Sequence, residues 1–232
     1  EAWLNRVLAN RMPKVGRITL SPMLNPNGKL IGDLTVAHIS PARFQVVGSY
    51  AAQAYHMRWF QSQLPSPGVK VRNLSDGRIG FQIAGPRARD LLSRITNQDL
   101  STASFPFLGV REMAVGDVPA IVNRISYTGD LGYEIYVARD DQAALYHLLN
   151  NAGGEFGLRP FGMRAMMSLR LEKSFGSWLR DYKPDYTPAE TGLDRFVNFD
   201  KGDFIGREAA LAARDSPPAR RLVTMVVAAE DA

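Results

Sequence analysis

The sequence contains no cysteine among its 232 residues. Disulfides, thiolate nucleophiles and thiolate metal ligands all need that side chain, so these three kinds of site are excluded. Histidine is also scarce: His38, His56 and His147 are the only three, and none belongs to an HxH or HxxxH pair. A metal site therefore has no support in the sequence. The lack of cysteine fits a reducing compartment, and we expect a cytoplasmic protein.

Long apolar runs are missing as well. Hydrophobic residues make up 45% of the chain, yet no stretch approaches the ~20 consecutive apolar residues that a membrane-spanning helix needs. The net charge is +5, but the 28 Lys and Arg residues are interleaved with 23 Asp and Glu residues. Interleaved charge of this kind is typical of a solvated surface rather than of a nucleic-acid groove. We therefore expect a globular protein that binds neither membrane nor nucleic acid.

The dinucleotide fingerprint GxGxxG is also missing, so no flavin or nicotinamide domain is expected within these residues. The chain instead alternates short apolar strands, hairpin turns and amphipathic helices. Strands are predicted over residues 17–20, 30–39, 44–47, 69–74, 80–84, 110–115, 120–126 and 133–137. Helices are predicted near the start and over residues 50–64, 86–95, 140–152 and 160–175. This order predicts an α+β fold with largely antiparallel sheets and flanking helices.

The two ends of the chain are abrupt. Apolar residues at helical spacing begin at Ala2, as if the chain opened in the middle of a domain. Near the other end, the sequence RLVTMVVA over residues 221–228 predicts a strand, and it follows a Ser-Pro-Pro linker at residues 216–218. We therefore expect one main domain over residues 1–215 and the start of a second, truncated one over residues 219–232.

The predicted hairpin over residues 121–137 carries a candidate binding group. Period-two alternation places Glu134 and Tyr136 on one face of the last strand and its apolar residues on the other. A carboxylate suits a 2-amino-4-oxo pyrimidine ring, because the ring N–H and the amino group form a two-pronged donor. A solvated strand residue is the other interpretation of Glu134.

The helix predicted over residues 160–175 combines an apolar stripe with two arginines, Arg164 and Arg170. Guanidinium groups on such a helix need anionic partners or access to water. Each arginine could bind a carboxylate of a ligand, or it could pair with an internal acid such as Glu172.

Five segments, in order along the chain, resemble the folate-binding domain of glycine-cleavage T-protein. They are TLSPMLNPNGKLIGDLTV (19–36), YTGDLGYEI (127–135), GMRAMMSLRLEKSF (162–175), TPAETGLDRFV (187–197) and KGDFIGREA (201–209). The resemblance implies an aminomethyltransferase-type α+β fold that wraps tetrahydrofolate. It also implies that Glu134 and Arg164 contact the folate. The other residues expected at the site are Tyr136, Asp181, Tyr186 and Glu190, whereas turn capping explains Asp33, Asp130 and Asp194 equally well.

His56 marks a departure from the family pattern. The family's catalytic aspartate lies nine residues after a Val-Val pair, and counting from Val46-Val47 reaches His56. We therefore predict His56 in the proton-transfer position. An imidazole with its usual pKa of about 6.5 can relay a proton but cannot supply the fixed negative charge of a carboxylate. Simple packing near Trp59 and Phe60 of the same helix is the alternative.

Two further stretches distinguish branches of this family. Iron–sulfur-maturation relatives carry a cysteine where KGDFIGRE has Asp203, which disfavours that branch. GSYAAQAYHMRW (48–59) and RDYKPDYTPAETGLDRF (180–196) resemble the C-terminal half of bacterial dimethylglycine and sarcosine dehydrogenases. That resemblance implies an upstream FAD domain that oxidises an N-methyl amine. The present module would trap the formaldehyde-level carbon as 5,10-methylene-tetrahydrofolate, and residues 219–232 would begin a C-terminal barrel.

Two other functions remain open. The chain could be a free-standing aminomethyltransferase that takes its one-carbon unit from a lipoyl carrier, although His56 counts against that chemistry. It could also be a non-catalytic module that only binds folate.

Overall fold

Two antiparallel sheets form the framework of the computed structural model, which describes residues 1–65, 67–216 and 218–228. The first sheet has the order β1 (Arg17–Leu24), β2 (Leu30–Ser40) and β3 (Arg43–Val47). The second sheet consists of β4 (Arg78–Ala84), β5 (Val110–Val115), β6 (Val118–Asn123) and β7 (Gly132–Ala138). Its spatial order is β4-β7-β6-β5. The α+β fold with antiparallel sheets that the sequence predicts is thus confirmed.

Helices flank both sheets. They are α1 (Ala2–Val7), α2 (Gln53–Ser62), α3 (Ala88–Arg94), α4 (Gln142–Gly153), α5 (Met163–Glu172), α6 (Pro188–Thr191) and α7 (Arg207–Arg214). Within the described part of the chain, none of them is long and apolar enough to cross a bilayer.

The β1–β2 hairpin forms where the turn-rich sequence predicts it. The Asn25 side-chain oxygen accepts hydrogen bonds from the backbone N–H groups of Asn27 and Lys29, both at 3.0 Å, which closes the loop as an Asx turn. Gly28 follows with a φ of +73°, and a Cβ there would lie only 2.9 Å from the backbone nitrogen of Ala210. The hairpin tip therefore needs glycine both for its backbone conformation and for its contact with α7.

The second sheet buries one of its faces under α3 and α4. On β7, the alternating residues Tyr133, Ile135 and Val137 are fully buried in this core. Each such side chain contributes about 1.5–3 kcal/mol through removal from water. The intervening residues, Glu134 and Tyr136, are left on the opposite face, as the alternation predicts.

That opposite face is turned toward the first sheet. A small apolar cluster joins Ile18 and Ala37 of the first sheet to Val110 and Ile121 of the second, with Tyr136 packed against it. The strand alternation of β2 then places Asp33, four residues before Ala37, on the same face. Side chains from both sheets therefore meet in the space between them.

Two predicted strands are wrong. Residues 69–74 form no strand, because no neighbouring strand pairs with them; Val71 packs singly against the core under α1 and α2. Residues 221–228 likewise have no strand partner, and Val226 is 98% exposed. Pro217 of the predicted linker and residues 229–232 lie outside the described residues, so the division at residue 215 stays a prediction.

Candidate functional site

A cavity of about 700 Å³ runs along the β4 edge of the second sheet. Its walls come mainly from β4, from the loop over residues 156–163 and from Met166 of α5, and they are mostly apolar. Glu134 and Tyr136 provide polar groups in this wall. A cavity of this size, with few polar groups in apolar surroundings, is typical of a small-molecule site.

Glu134 and Tyr136 form a coupled pair. The Tyr136 hydroxyl donates a hydrogen bond of 2.8 Å to Oε2 of Glu134. Burial raises the pKa of Glu134, whereas hydrogen bonding from Tyr136 lowers it. Burial and the neighbouring carboxylate also raise the pKa of Tyr136 well above its usual value, so the phenol remains a hydrogen-bond donor.

Two amide side chains that the sequence reasoning missed flank Glu134. Gln82 on β4 and Asn123 on β6 are the direct cross-strand neighbours of Glu134, so the three side chains share one face. Gln82 lines the cavity, while Asn123 is fully buried. No pattern within a single strand reveals such a row, because it depends on the register between three strands.

Asp33 is a residue that the sequence analysis left open between the site and turn capping. It lies in the interior of β2, so the turn-capping interpretation of this residue is wrong. Burial raises its pKa to about 7. Its charge in turn contributes to raising the pKa values of Tyr127 and Tyr182, after the larger effect of burial on each. Asp33 is thus a buried carboxyl group whose charge acts on two tyrosines, and an acid within a mostly apolar strand is the signal that could have identified it.

The loop between α5 and α6 bonds to Tyr127 and holds Tyr182. The Tyr127 hydroxyl donates to the Gly176 carbonyl oxygen at 2.6 Å, and the Tyr182 hydroxyl accepts from the Gly176 N–H at 3.2 Å. Buried Arg170 pairs with Asp181 at 2.5 Å. The expected internal acid partner of Arg170 is therefore present, although it is Asp181 and not Glu172. Asp181 stabilises the loop through this contact.

His56 lies on the opposite face of β2 from Asp33. Its Nε2 lies 3.0 Å from the Ile31 carbonyl oxygen, and only 5% of the residue is exposed. A Cβ on Gly32 would lie 2.8 Å from the same Nε2, so His56 packs on the face of β2 to which Gly32 points. Asp33, the next residue, points to the other face. Burial lowers the pKa of His56 and favours the neutral imidazole, and its proton-transfer role stays a prediction.

The remaining expected site residues lie apart from the cavity wall. Arg164 is exposed in the first turn of α5. The Tyr186 ring packs under the Arg220 guanidinium at 4.7 Å. Glu190 caps α6 by accepting from Thr187; although burial raises its pKa, hydrogen bonds from Thr187 and Arg220 lower it to about 2. Across residues 1–65, 67–216 and 218–228, no group of three or more His, Asp or Glu side chains could hold a metal ion.

The fold and the cavity together define an α+β ligand-binding domain, with two antiparallel sheets whose facing surfaces carry the polar groups. Residues 1–201 match the family described as GCVT N-terminal domain, and the chain belongs to this family. The resemblance predicted from five sequence segments is thereby confirmed.

Relatives within this group include two kinds of protein. The chain is 39% identical to human mitochondrial dimethylglycine dehydrogenase over 231 residues, covering 98% of this chain and 27% of that protein. It is 32% identical to the aminomethyltransferase of Caldanaerobacter subterraneus subsp. tengcongensis over 223 residues, covering 95% of this chain and 59% of the relative. The chain therefore spans only about a quarter of the first relative and three-fifths of the second.

Solved structures confirm the fold. The glycine cleavage system aminomethyltransferase T from Bartonella henselae superposes with a TM-score of 0.83 over 95% of this chain and 59% of that one, at 24% identity. The heterotetrameric sarcosine oxidase from Corynebacterium sp. U-96 gives a TM-score of 0.53 over 69% of this chain and 76% of that one, at 21% identity. At these identities the likeness concerns the fold alone.

Proposed function

We propose that this chain is the tetrahydrofolate-binding, one-carbon-accepting module of an FAD-dependent N-methyl amine dehydrogenase of the dimethylglycine or sarcosine type. The observation that carries the proposal is Glu134, a carboxylate in the polar wall of a mostly apolar cavity, hydrogen-bonded by Tyr136. A carboxylate in that position can accept the ring N–H and the amino group of a 2-amino-4-oxo ring in a bidentate manner.

The cavity suits such a ligand in size and chemistry. Its apolar walls can cover a planar ring while Glu134 fixes the ring's orientation. Arg164 is exposed close to Met163, which lines the cavity, and we propose that it meets a carboxylate at the far end of the ligand. When bound, tetrahydrofolate supplies N5 as the acceptor of the one-carbon unit.

We assign proton transfer to Asp33 in preference to His56. A carboxyl group with a pKa of about 7 is present in both protonation states near neutral pH, which suits a general acid or base. As an anion it also favours a developing positive charge on the substrate, which a neutral imidazole cannot do. His56 is directed at the Ile31 carbonyl oxygen and lies on the other side of β2.

The proposal is tested by calorimetric titration of the chain with tetrahydrofolate. We expect Glu134→Gln to weaken binding by about 10- to 100-fold, because the variant replaces a charged acceptor by a neutral amide. Glu208→Gln, a change at an exposed residue of α7, serves as the matched control and should bind like wild type. Lack of binding by the wild-type chain, or equal affinity of Glu134→Gln and wild type, contradicts the proposal.

The identity to human dimethylglycine dehydrogenase supports the dehydrogenase setting, and the aminomethyltransferase relatives support the rival of a free-standing transferase. A GxGxxG motif upstream in the full gene would favour the dehydrogenase. Transfer of an aminomethyl group from a lipoyl carrier would favour the rival. Folate binding without any methylene-folate formation would indicate a non-catalytic folate-binding module.

A further inference from the structure

Asn123 is a fully buried amide beside the acid that carries the proposed function. It lies directly across from Glu134 in the β6–β7 register, and both side chains emerge on the same face of the sheet. Gln82 flanks Glu134 on the other side and lines the cavity, whereas Asn123 has no exposed surface. A ligand in the cavity therefore meets Gln82 and Glu134 directly and can be affected by Asn123 only through Glu134.

Within the part of the chain that the structure describes, neither Oδ1 nor Nδ2 of Asn123 has a hydrogen-bond partner. Buried side-chain amides in native proteins are rarely left in this state, so the position calls for an explanation. A purely structural asparagine would bond to neighbouring backbone groups, while the group nearest in register is the Glu134 carboxylate.

A hydrogen-bond donor beside Glu134 would favour the ionised form of its carboxyl group. Burial favours its neutral form, and a neutral carboxyl group cannot accept two hydrogen bonds from a donor edge while keeping its own proton. The groups that act against burial are the Tyr136 hydroxyl on β7 and the Asn123 amide on β6. The first is already bonded to Oε2 at 2.8 Å. The Asn123 amide has N–H groups without a partner among the described residues, so it can donate to the same carboxylate.

We infer that Asn123 is a positioning residue that donates an N–H to Glu134, keeping this carboxylate ionised and oriented when it binds the donor edge of the ligand. This inference rests on the proposed function and deepens it, because it names the residue that makes the Glu134 acceptor effective. Hydrogen bonds of this kind are often long in a free protein and shorten when the ligand is bound. Tyr136 and Asn123 thus bond to the carboxylate from two strands, β7 and β6.

The test is the pH dependence of binding by Asn123→Leu, which keeps the branching of the side chain and has no polar atom. The chain is titrated calorimetrically with 5-formyltetrahydrofolate, a stable reduced folate, between pH 6.0 and 8.5. We expect binding about tenfold weaker than wild type at pH 7, with a smaller difference from wild type at pH 8.5, because a higher pH favours the ionised form of Glu134. Asn97→Leu, at an exposed position, is the matched control and should follow the wild-type profile.

The outcomes distinguish failure of the proposed function from failure of the positioning role of Asn123. If wild type fails to bind 5-formyltetrahydrofolate, the proposed function itself fails. If wild type binds and Asn123→Leu binds equally well, or is weakened equally at every pH, only the positioning role is overturned. In the Glu134→Gln background, adding Asn123→Leu should change affinity by less than about twofold, because an effect exerted through Glu134 has already been lost.

Should Asn123→Leu fail to fold, Asn123→Ser and Asn123→Ala carry the test, since these two residues are close in size and only serine keeps a donor. Asn123→Ser should bind more tightly than Asn123→Ala at pH 7, and the difference between them should be smaller at pH 8.5. Equal affinity at pH 7 would overturn the inference.

Discussion

Asp33 lies between Gly32 and Leu34 on β2, close enough to Tyr127 and Tyr182 to raise the pKa values of both phenols. In the folded protein, burial raises its own pKa from 3.8 to about 7. The folded state therefore keeps a proton that the unfolded chain releases near pH 4. Above that pH, Asp33 ionises in the unfolded chain but stays protonated in the folded protein, and this ionisation stabilises the unfolded state. The free energy of unfolding therefore falls as the pH rises from about 4 to about 7.

We accordingly predict that Asp33→Asn is more stable than wild type at pH 8, by about 1–3 kcal/mol after allowance for partial solvation of the group. The gain should shrink as the pH approaches 4. One-carbon transfer should fall by about 100-fold or more, while folate binding is largely kept. Urea unfolding at pH 4.5 and pH 8, together with a methylene-folate assay, measures these effects.

The comparison variants are Asp185→Asn and His56→Gln. Asp185 is exposed, and its substitution should leave stability and transfer close to wild type at both pH values. The rate of one-carbon transfer by wild type should change with pH near 7, where Asp33 titrates. His56→Gln keeps a donor for the Ile31 carbonyl oxygen and should preserve this pH dependence, whereas Asp33→Asn should lose it. If His56→Gln abolishes transfer and Asp33→Asn does not, the assignment of the two residues is reversed.

The sequence allows some site residues to be predicted and not others. Glu134 and Tyr136 follow from alternation within one strand, which is a local property. The proposed role of Asp33 was not predicted, because a count from Val46-Val47 measures distance along the chain, whereas folding brings residues of two sheets together. Asn123 depends on strand register, which only the folded sheet defines.

At the scale of elements, the loop between α5 and α6 depends on the absence of a side chain at one position. A Cβ on Gly176 would lie 2.1 Å from the Tyr182 ring, far inside van der Waals contact. The same glycine bonds to Tyr127 through its carbonyl oxygen and to Tyr182 through its N–H. Displacement of Gly176 would therefore disturb the hydrogen bonds of both tyrosines on which the charge of Asp33 acts.

We predict that Gly176→Ala lowers the free energy of unfolding by about 1–3 kcal/mol, because an extra methyl group overpacks this loop. Gly154→Ala is the control, since a Cβ there has nothing within 4 Å and its φ of −56° is helical. That variant should be neutral or slightly stabilising. Thermal and urea unfolding measure both. A Gly176→Ala protein as stable as wild type would mean that the loop can move without cost.

Elements with strong local signals were the predictable ones. The β1–β2 hairpin follows from its turn residues, and β5 and α4 follow from apolar periodicity. Residues 69–74 have a strand-like composition, but a strand also needs a partner, and composition does not reveal whether a sheet edge is free. The helix predicted over residues 160–175 begins at Met163 and ends at Glu172, because side-chain patterns define the ends of a helix poorly.

At the scale of the whole molecule, one apolar surface is conspicuous. After Leu222, whose N–H bonds to the Glu190 carbonyl oxygen, the chain exposes four more large apolar residues: Val223, Met225, Val226 and Val227. Contiguous apolar surface of this kind promotes association.

We predict that Val226→Lys reduces self-association of the chain, measured by sedimentation velocity at several concentrations, and that it shifts the thermal midpoint by less than about 1 °C. A lysine there interrupts the apolar surface and removes no buried contact, because Val226 is 98% exposed. Val15→Lys, at an isolated half-exposed valine, should leave association unchanged. Equal self-association of Val226→Lys and wild type would show that this segment does not mediate self-association.

Asn123 has a consequence for the lifetime of the protein. Among the described residues its buried amide has no hydrogen-bond partner, and such a group makes the ligand-free form less stable than its apolar cores alone would allow. A ligand present at a hundred times its Kd would add about 2.7 kcal/mol to the free energy of unfolding. Proteolysis of briefly opened molecules follows that free energy. Depletion of the ligand in a cell should therefore shorten the half-life of this protein, so that its abundance follows the supply of what it binds.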